Sequence, residues 1–183
     1  IIYRKGIASE ELYEFRHALI QDAAYQSMLN TKRKAHHKTI AKTLIEHFAD
    51  TVKQQPEVLA QHLTECDDIQ QATTYWLQSG RKACEQSAPI EAISHLMTGI
   101  ELIKKLPESL DRDLMELDFF LVLGPALMAT RGFAVSEVEE AYVRGRELCQ
   151  KVGTPMQYFT ATWGLWLYRQ QRGEVEIASK LSL

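Results

Sequence analysis

The sequence has no apolar run approaching the roughly 18 residues of a membrane-spanning helix. It also has no apolar core near its start, where Arg4, Lys5, Glu10 and Glu11 stand instead, and a signal peptide would need such a core. We therefore expect no membrane partner and a cytoplasmic location.

Cysteine is scarce, and the three that are present, Cys66, Cys84 and Cys149, are far apart. None of them belongs to a Cys-x-x-Cys pair, the spacing that commonly holds a metal ion or a redox-active disulfide. We expect reduced, partly buried thiols.

Neither sign of charge is in large excess, since 21 Lys and Arg residues face 24 Asp and Glu residues. A net charge of −3 gives no general attraction for nucleic acid. The local basic run Lys32-Arg33-Lys34 lacks interleaved aromatic residues. It therefore indicates a solvated helix face, and we expect no nucleic-acid partner for this region.

Catalytic motifs are missing as well. There is no Gly-x-Ser-x-Gly sequence and no phosphate-binding loop of the form Gly-x-x-x-x-Gly-Lys-[Ser/Thr]. The adjacent His36 and His37 would point about 100 degrees apart on a helix and so could not easily share a metal ion. His47, His62 and His95 stand alone in separate segments, as surface or interface histidines would. We expect no catalytic residue, no metal ligand and no cofactor in this region.

Helical patterning dominates what is present. The segment Ile1 to Gly6 is β-prone and can pair as a hairpin with Leu12 to Arg16. Apolar stripes then predict helices from about His17 to Leu29 and from about Lys32 to Phe48. From Pro56 onward the chain is patterned almost entirely as helices of about 15 to 20 residues, a length that suits antiparallel helix pairs. Ser136 and Glu139 have the spacing of a helix capping box.

One stretch of this helical part resembles a tetratricopeptide repeat. Small and large residues recur there at the offsets of that repeat, namely Trp76, Gly80, Ala92, Leu96 and Gly99. The glycines and the alanine would let two helices approach closely, while Trp76 and Leu96 would fill the gaps beside them. These five residues are the predicted packing positions of the repeat.

Two further units match the repeat less closely. The second has Phe120 and Gly124 in its first helix and Ala141 in its second. The turn between these helices is about five residues longer than in the first unit. The third is indicated by Gly173 and Ala178. We therefore predict an all-α fold of tetratricopeptide-like antiparallel helical hairpins in a superhelix over residues 51–183, preceded by a short β-hairpin.

A dense set of aromatic residues marks the segment before Gly173, where the turn of the third unit begins. Such a set forms either part of the core or a groove that binds a partner, because first helices line the exposed inner surface of repeat arrays. A truncated array would also expose such residues because the next repeat is missing. These interpretations stay open, and the candidates for an interaction surface are Tyr158, Trp163, Trp166 and Tyr168.

The segment from Tyr13 to Leu29, with Phe-Arg-His-Ala-Leu-Ile-Gln-Asp-Ala-Ala-Tyr at its centre, resembles a junction in the STAND class of signal-transduction NTPases. The resemblance continues through a basic, His-containing helix start and a series of later runs: Pro56 to His62, Tyr75 to Gly80, Ala92 to Leu96 and Trp163 to Trp166. It is strongest to predicted ATPases fused to an adenylate or guanylate cyclase domain, or to a protein kinase domain.

This resemblance implies that residues 1–50 are the end of a winged-helix module and a connecting helix. It implies that ATP or ADP binds in a domain upstream of this chain, and that His17 is a candidate nucleotide-sensing residue there. His17 alternatively only caps its helix and packs beside Tyr13 or Phe15. Two departures are that Ala18 stands where many members of the class have Asp, and that the chain itself has no phosphate-binding loop.

The chain begins at Ile1 without methionine and stops at Leu183 within a helical pattern, so we expect it to be part of a longer protein. The implied function is a non-catalytic regulatory and protein-interaction region. It would transmit binding of a ligand or protein partner to the NTPase and effector domains of the same protein. Alternatives are the sensor region of an ATP-dependent transcription regulator, a stand-alone repeat scaffold, or an enzyme with a site built from His36, His62 and His95.

Overall fold

The computed structural model describes residues 2–5, 12–15 and 18–181. Strands β1 (Ile2–Lys5) and β2 (Leu12–Phe15) pair antiparallel, with Ile2 opposite Phe15 and Lys5 opposite Leu12. His17, the candidate nucleotide-sensing residue, lies outside the described residues. The assignment of this hairpin to a winged-helix module stays a prediction.

The rest of the described chain is helical. Its ten helices are α1 (Ala18–Ser27), α2 (Asn30–His47), α3 (Ala49–Gln54), α4 (Pro56–Glu65), α5 (Ile69–Glu85), α6 (Pro89–Ile103), α7 (Leu110–Arg131), α8 (Ser136–Val152), α9 (Pro155–Gln171) and α10 (Val175–Leu181). From α4 to α10 each helix packs against the next, and α7 also contacts both α5 and α9. The all-α fold of adjacent helical hairpins predicted from the sequence is confirmed, with α5, α7 and α9 forming one row.

Helix starts follow from local sequence. Pro56, Pro89 and Pro155 occupy first turns, where a missing N–H costs nothing. The Thr154 hydroxyl accepts from the backbone N–H of Gln157 at 3.3 Å, and the Gln157 side chain accepts from the Thr154 N–H at 2.9 Å. This reciprocal pair is a capping box at the start of α9.

The capping box predicted at Ser136 is wrong. Val135 is the extended residue that precedes α8, so Ser136 is already the first helical residue. Its hydroxyl is 3.2 Å from a carboxylate oxygen of Glu137 and donates to it, and α8 has no side-chain cap.

Buried side chains join the helices into a continuous stack. The largest cluster draws on α5 to α9 and includes Leu96, Phe119 and Tyr142. A second cluster contains Ala41, the buried residue of α2, together with Leu59 of α4. The connecting helix α2 is thus packed onto the first helices of the stack. The proposed division between residues 50 and 51 stays a prediction.

The residues at repeat offsets lie where helices approach most closely. A Cβ placed on Gly80 would lie 2.5 Å from Leu96 Cδ2, and one on Gly99 would overlap the Phe119 ring and lie 3.2 Å from Trp76 Cβ. Trp76 is half-buried, and its indole N–H donates to the Thr64 hydroxyl at 3.0 Å. The spacing seen in the sequence therefore corresponds to close packing between α5, α6 and α7.

The weaker second unit is organised around Tyr142 of α8. A Cβ on Gly124 of α7 would lie 2.5 Å from Tyr142 Cζ, and a Cβ on Gly164 of α9 would lie 2.6 Å from Tyr142 Cδ1 and closer still to Cε1 and Cζ. The ring is therefore held between two helices that each lack a side chain at the contact. Ala141 is buried beside it, as Ala92 is in the first unit, and Ala178 is buried in α10.

Candidate interaction surface

Helix α9 has two contrasting faces. Its buried face carries Ala161, Gly164, Leu165 and Tyr168, which pack toward α7 and α8. The opposite face carries a second set of apolar side chains at spacings of three and four residues, which places them on one side of a helix. Their exposed fractions are 72% for Met156, 64% for Phe159 and 51% for Trp163.

Helices α5 and α9 of the row differ in what they expose. On α5 the exposed positions at helical spacing are Gln71, Thr74, Gln78 and Arg81, and Arg81 forms an ion pair with Asp118 of α7 at 3.0 Å. These polar side chains are well hydrated, so their exposure does not indicate a binding site for another protein. The apolar exposure on α9 is different, because adjacent exposed apolar side chains commonly mark sites where another protein binds.

The four candidates from the aromatic segment separate in the structure. Trp163 is exposed and Trp166 is half-buried. Tyr168 is only 2% exposed, so its assignment to an interaction surface is wrong. It lies on the α9 face that packs into the core, and the same burial raises the pKa of its phenol.

Tyr158 is half-buried at the edge of α9. The Arg146 guanidinium donates to its hydroxyl at 3.2 Å and lies 5.6 Å from its ring centre. The hydrogen bond from Arg146 lowers the pKa of Tyr158, because it favours the phenolate. Tyr158 also packs against the cluster that contains Leu148 and Cys149. Its ring thus connects α8 to α9 at the margin of the exposed face.

Met156 and Phe159 are the most exposed apolar residues of α9. Phe159 belongs to the aromatic segment marked in the sequence but is not one of its four surface candidates, and Met156 was not predicted at all. The signal that could have found them is their spacing to Trp163 of seven and four residues, which is one helical face. Aromatic density alone could not separate this face from the buried one.

Two clefts between helices contain charged groups. A cleft of about 400 Å³ between α6, α7 and α8 has Arg144 and Glu116 in its wall. Arg144 donates two hydrogen bonds to the Glu116 carboxylate, at 2.8 and 3.0 Å. A wider groove of about 690 Å³ lies between α2, α4 and α5 and includes Lys38 and Asp68. The polar groups of the first cleft are matched with one another, as in a structural ion pair.

The histidines are arranged differently from what their spacing predicted. His62 is not isolated, because its Nδ1 lies 2.7 Å from Nδ1 of His37, and the Tyr25 hydroxyl lies 2.9 Å from Nε2 of His37. His95 stacks beside Trp76 with ring centres 5.4 Å apart. Within residues 2–5, 12–15 and 18–181 no group of three or more His, Cys, Asp or Glu side chains is arranged to hold a metal ion.

The three cysteines are free thiols, half-buried at Cys66 and Cys84 and buried at Cys149. Burial raises the pKa of Cys84 and of Cys149, which keeps both groups in the less reactive thiol form. None of the described helices is long and apolar enough to cross a membrane.

One comparison with known proteins found a relative. A protein of Rhizobium meliloti (strain 1021), described as uncharacterized protein R02095, is 26% identical to this chain over 169 residues. The match covers 91% of this chain but only 16% of the relative. This chain thus spans about a sixth of the length of the curated relative it matches. No family model and no solved structure matches the chain.

Proposed function

We propose that this chain is a non-catalytic regulatory and protein-interaction region of a multidomain signal-transduction ATPase. In this proposal a protein partner binds the exposed face of α9. The helical stack then transmits binding toward α1 and the hairpin, and so to a nucleotide-binding domain that holds ATP or ADP and an attached cyclase or kinase effector. The observation that carries the interaction role is the exposed apolar face formed by Met156, Phe159 and Trp163.

The physical support for the interaction role is the cost of leaving that face in water. Phe159 and Trp163 are each more than half exposed, although each could bury a large apolar area. Trp in particular is enriched among residues that dominate binding energy at protein interfaces. The rigid attachment of α9 through Gly164 and Tyr142 would hold both rings in a defined orientation.

Support for a role within a larger protein comes from the comparison and from the first helix. The matched region is about one sixth of the relative, so a similar sequence occurs as one part of a much longer chain. Leu19 on α1 and Leu29 just after it are exposed apolar residues, which would suit contact with a further domain. The assignment of that domain to the STAND class rests on the resemblance of the segment from Tyr13 to Leu29 to a junction in that class.

The test uses the full-length gene product that contains this chain. We expect Phe159→Asp and Trp163→Asp together to change its rate of nucleotide exchange and its effector output, because two charges on the α9 face would prevent partner binding. The matched control is Ile90→Asp, at another exposed apolar residue, on α6 and 73% exposed. The control should leave both activities as they are in the unsubstituted protein.

Different results would contradict different parts of the proposal. If the α9 double variant and the Ile90 variant behave alike, the α9 face has no regulatory role. If the gene product has no nucleotide-binding loop and hydrolyses no ATP, the ATPase part is wrong. The stand-alone repeat scaffold would then be the better description.

A further inference from the structure

A chain of hydrogen-bonded groups crosses the junction between α1, α2 and α4. The Tyr25 hydroxyl of α1 lies 2.9 Å from Nε2 of His37 on α2, and Nδ1 of His37 lies 2.7 Å from Nδ1 of His62 on α4. The same Tyr25 hydroxyl lies 3.3 Å from a carboxylate oxygen of Glu65, also on α4. Three helices that are separate in sequence thus meet in one polar array.

The contact between the two imidazoles depends on protonation. A hydrogen bond between two Nδ1 atoms requires one to donate its proton and the other to accept with a lone pair. At least one of the two rings must therefore be neutral. If His37 and His62 both carried a proton on Nδ1, two N–H groups and two positive charges would face each other, so the contact could not persist.

Among the side chains of α1 that the structure describes, Tyr25 joins this helix to the stack through the array. Most described side chains of α1 are exposed, and Tyr25 is one of the two that are half-buried. Beside the Tyr25 contacts, Arg33 of α2 donates to Gln26 at 3.2 Å and its guanidinium lies 5.1 Å from the Tyr25 ring centre. With so little apolar burial, the position of α1 depends on polar contacts.

The charged groups around the pair do not remove this dependence. From α4, Glu65 favours the charged form of His62, but burial and the neighbouring His37 outweigh it and lower the pKa of His62. From α2, Arg33 is positive and lies near Tyr25, while Lys34 is paired with Asp67 in the turn after α4. From α1, Tyr25 contributes a neutral hydroxyl, since burial and Glu65 raise the pKa of its phenol.

We propose that His37 and His62 form a pH-sensitive latch. Near neutral pH their contact joins α2 to α4 and fixes the His37 ring against the Tyr25 hydroxyl of α1. When both rings are protonated they repel each other, the His37 ring moves, and α1 loses this partner and is held less firmly. Since α1 follows the hairpin, release would free the N-terminal segment to move relative to the repeats. The latch itself does not require the proposed function, because it concerns only the contacts within this chain.

The direction of the pH effect follows from the lowered pKa of His62. The neutral form is favoured in the folded state, so its stabilising contribution is complete above the ordinary histidine pKa of about 6.5. That contribution is lost as the pH falls below this value toward the lower pKa of the folded state. The latch is therefore closed at pH 7.5 and opens under mildly acidic conditions.

The test is hydrogen–deuterium exchange of the chain, with protection factors corrected for the intrinsic effect of pH on exchange. We expect protection of the α1 amides to fall by up to about tenfold for each pH unit below about 6.5, the factor that uptake of one proton on opening gives. The amides of α6 serve as the internal reference and should keep their protection.

Two substitutions separate the latch from general acid sensitivity. His62→Gln keeps a hydrogen-bonding side chain that does not titrate, so the pH dependence of α1 protection should disappear. His36→Gln is the matched control, because His36 is adjacent to His37 but exposed, and it should behave as the unsubstituted chain does. If α1 protection in His62→Gln still falls with decreasing pH as much as it does in the unsubstituted chain, the proposal is overturned.

A second measurement covers the case in which His62→Gln does not fold. An NMR titration of the ring protons in the unsubstituted chain should show the pKa of His62 below the ordinary histidine value, as its burial and the neighbouring His37 imply. An ordinary pKa of His62 in the folded chain would overturn the latch. Neither measurement depends on a partner, so failure of the latch and failure of the proposed function can be distinguished.

Discussion

Replacing Gly164 with alanine should destabilise the protein through a single contact. The added Cβ would lie 2.6 Å from Tyr142 Cδ1 and overlap Cε1 and Cζ of the same ring. Tyr142 cannot move away from α9 easily, because its other side packs against Gly124 of α7, where a Cβ would lie 2.5 Å from Cζ. Either the ring or helix α9 must shift.

The size of the effect comes from two opposing terms. Overpacking of a well-filled core costs about 1–3 kcal/mol, whereas alanine is better than glycine in a helix interior by about 0.8–1 kcal/mol. We therefore expect a net loss of between about 0 and 2 kcal/mol in the free energy of unfolding, with a midpoint of about 1 kcal/mol.

A matched control isolates the steric term. Gly145 of α8 and Gly164 of α9 are both the tenth residue of a 17-residue helix. A Cβ on Gly145 would make only ordinary contacts, 3.7 Å from Phe120 Cβ and 3.9 Å from Ala161 Cβ. Gly145→Ala should therefore gain up to about 1 kcal/mol from helix propensity alone. The difference between the two variants then measures the clash with Tyr142.

The assay is urea unfolding followed by circular dichroism, supported by thermal melts, in which each kcal/mol corresponds to about 2–4 °C for a chain of this size. The double variant Gly164→Ala with Tyr142→Leu tests the assigned partner. Its cost should be less than the sum of the single costs by about 0.5–3 kcal/mol, because the ring that the Cβ would strike is gone. Equal stability of Gly164→Ala and Gly145→Ala would refute the close packing around Tyr142.

Three further predictions concern buried polar groups. Burial raises the pKa of Tyr142 to about 12, so the stability that its neutral phenol contributes is complete below the ordinary tyrosine pKa of about 10 and is lost as the pH rises from there toward 12. An ultraviolet titration should show a tyrosine ionisation near pH 12 that is absent in Tyr142→Phe. Arg144→Met should lower the free energy of unfolding in urea by about 1–3 kcal/mol, because it leaves the carboxylate of Glu116, 8% exposed, without its partner. Adding Glu116→Gln should recover part of that loss. No recovery would contradict the pairing. Trp76→Phe should cost about 0.5–1.5 kcal/mol by the same assay, since it removes the indole N–H that donates to Thr64, and an unchanged stability would show that this bond contributes nothing.

Local features of the fold could be predicted from the sequence because they depend on neighbours along the chain. The pattern predicted an all-α chain, and Pro56 and Pro89 begin helices as proline does in a first turn. The offsets from Trp76 to Gly99 corresponded to real close contacts, because a helix pair brings residues at fixed spacings together. The Ser136 cap failed because α8 begins one residue earlier than a serine cap requires.

The candidate surface could be predicted only in part. The aromatic segment marked α9, and Trp163 is exposed there, but Tyr168 is buried on the other face. Both are aromatic residues on the same helix, so residue type did not distinguish them. Their burial depends on where α8 lies, which is decided by the packing of Tyr142 against Gly164.

The sequence by itself determined the helical elements, their approximate lengths and the small residues that let helices approach, because these properties arise from local periodicity and side-chain size. Only the tertiary structure decided which face of α9 meets water and which histidines meet each other. His37 and His62 are 25 positions apart in the chain, and no spacing rule relates residues on α2 and α4. Their contact exists because Ala41 and Leu59 bury together and draw the two helices into one cluster.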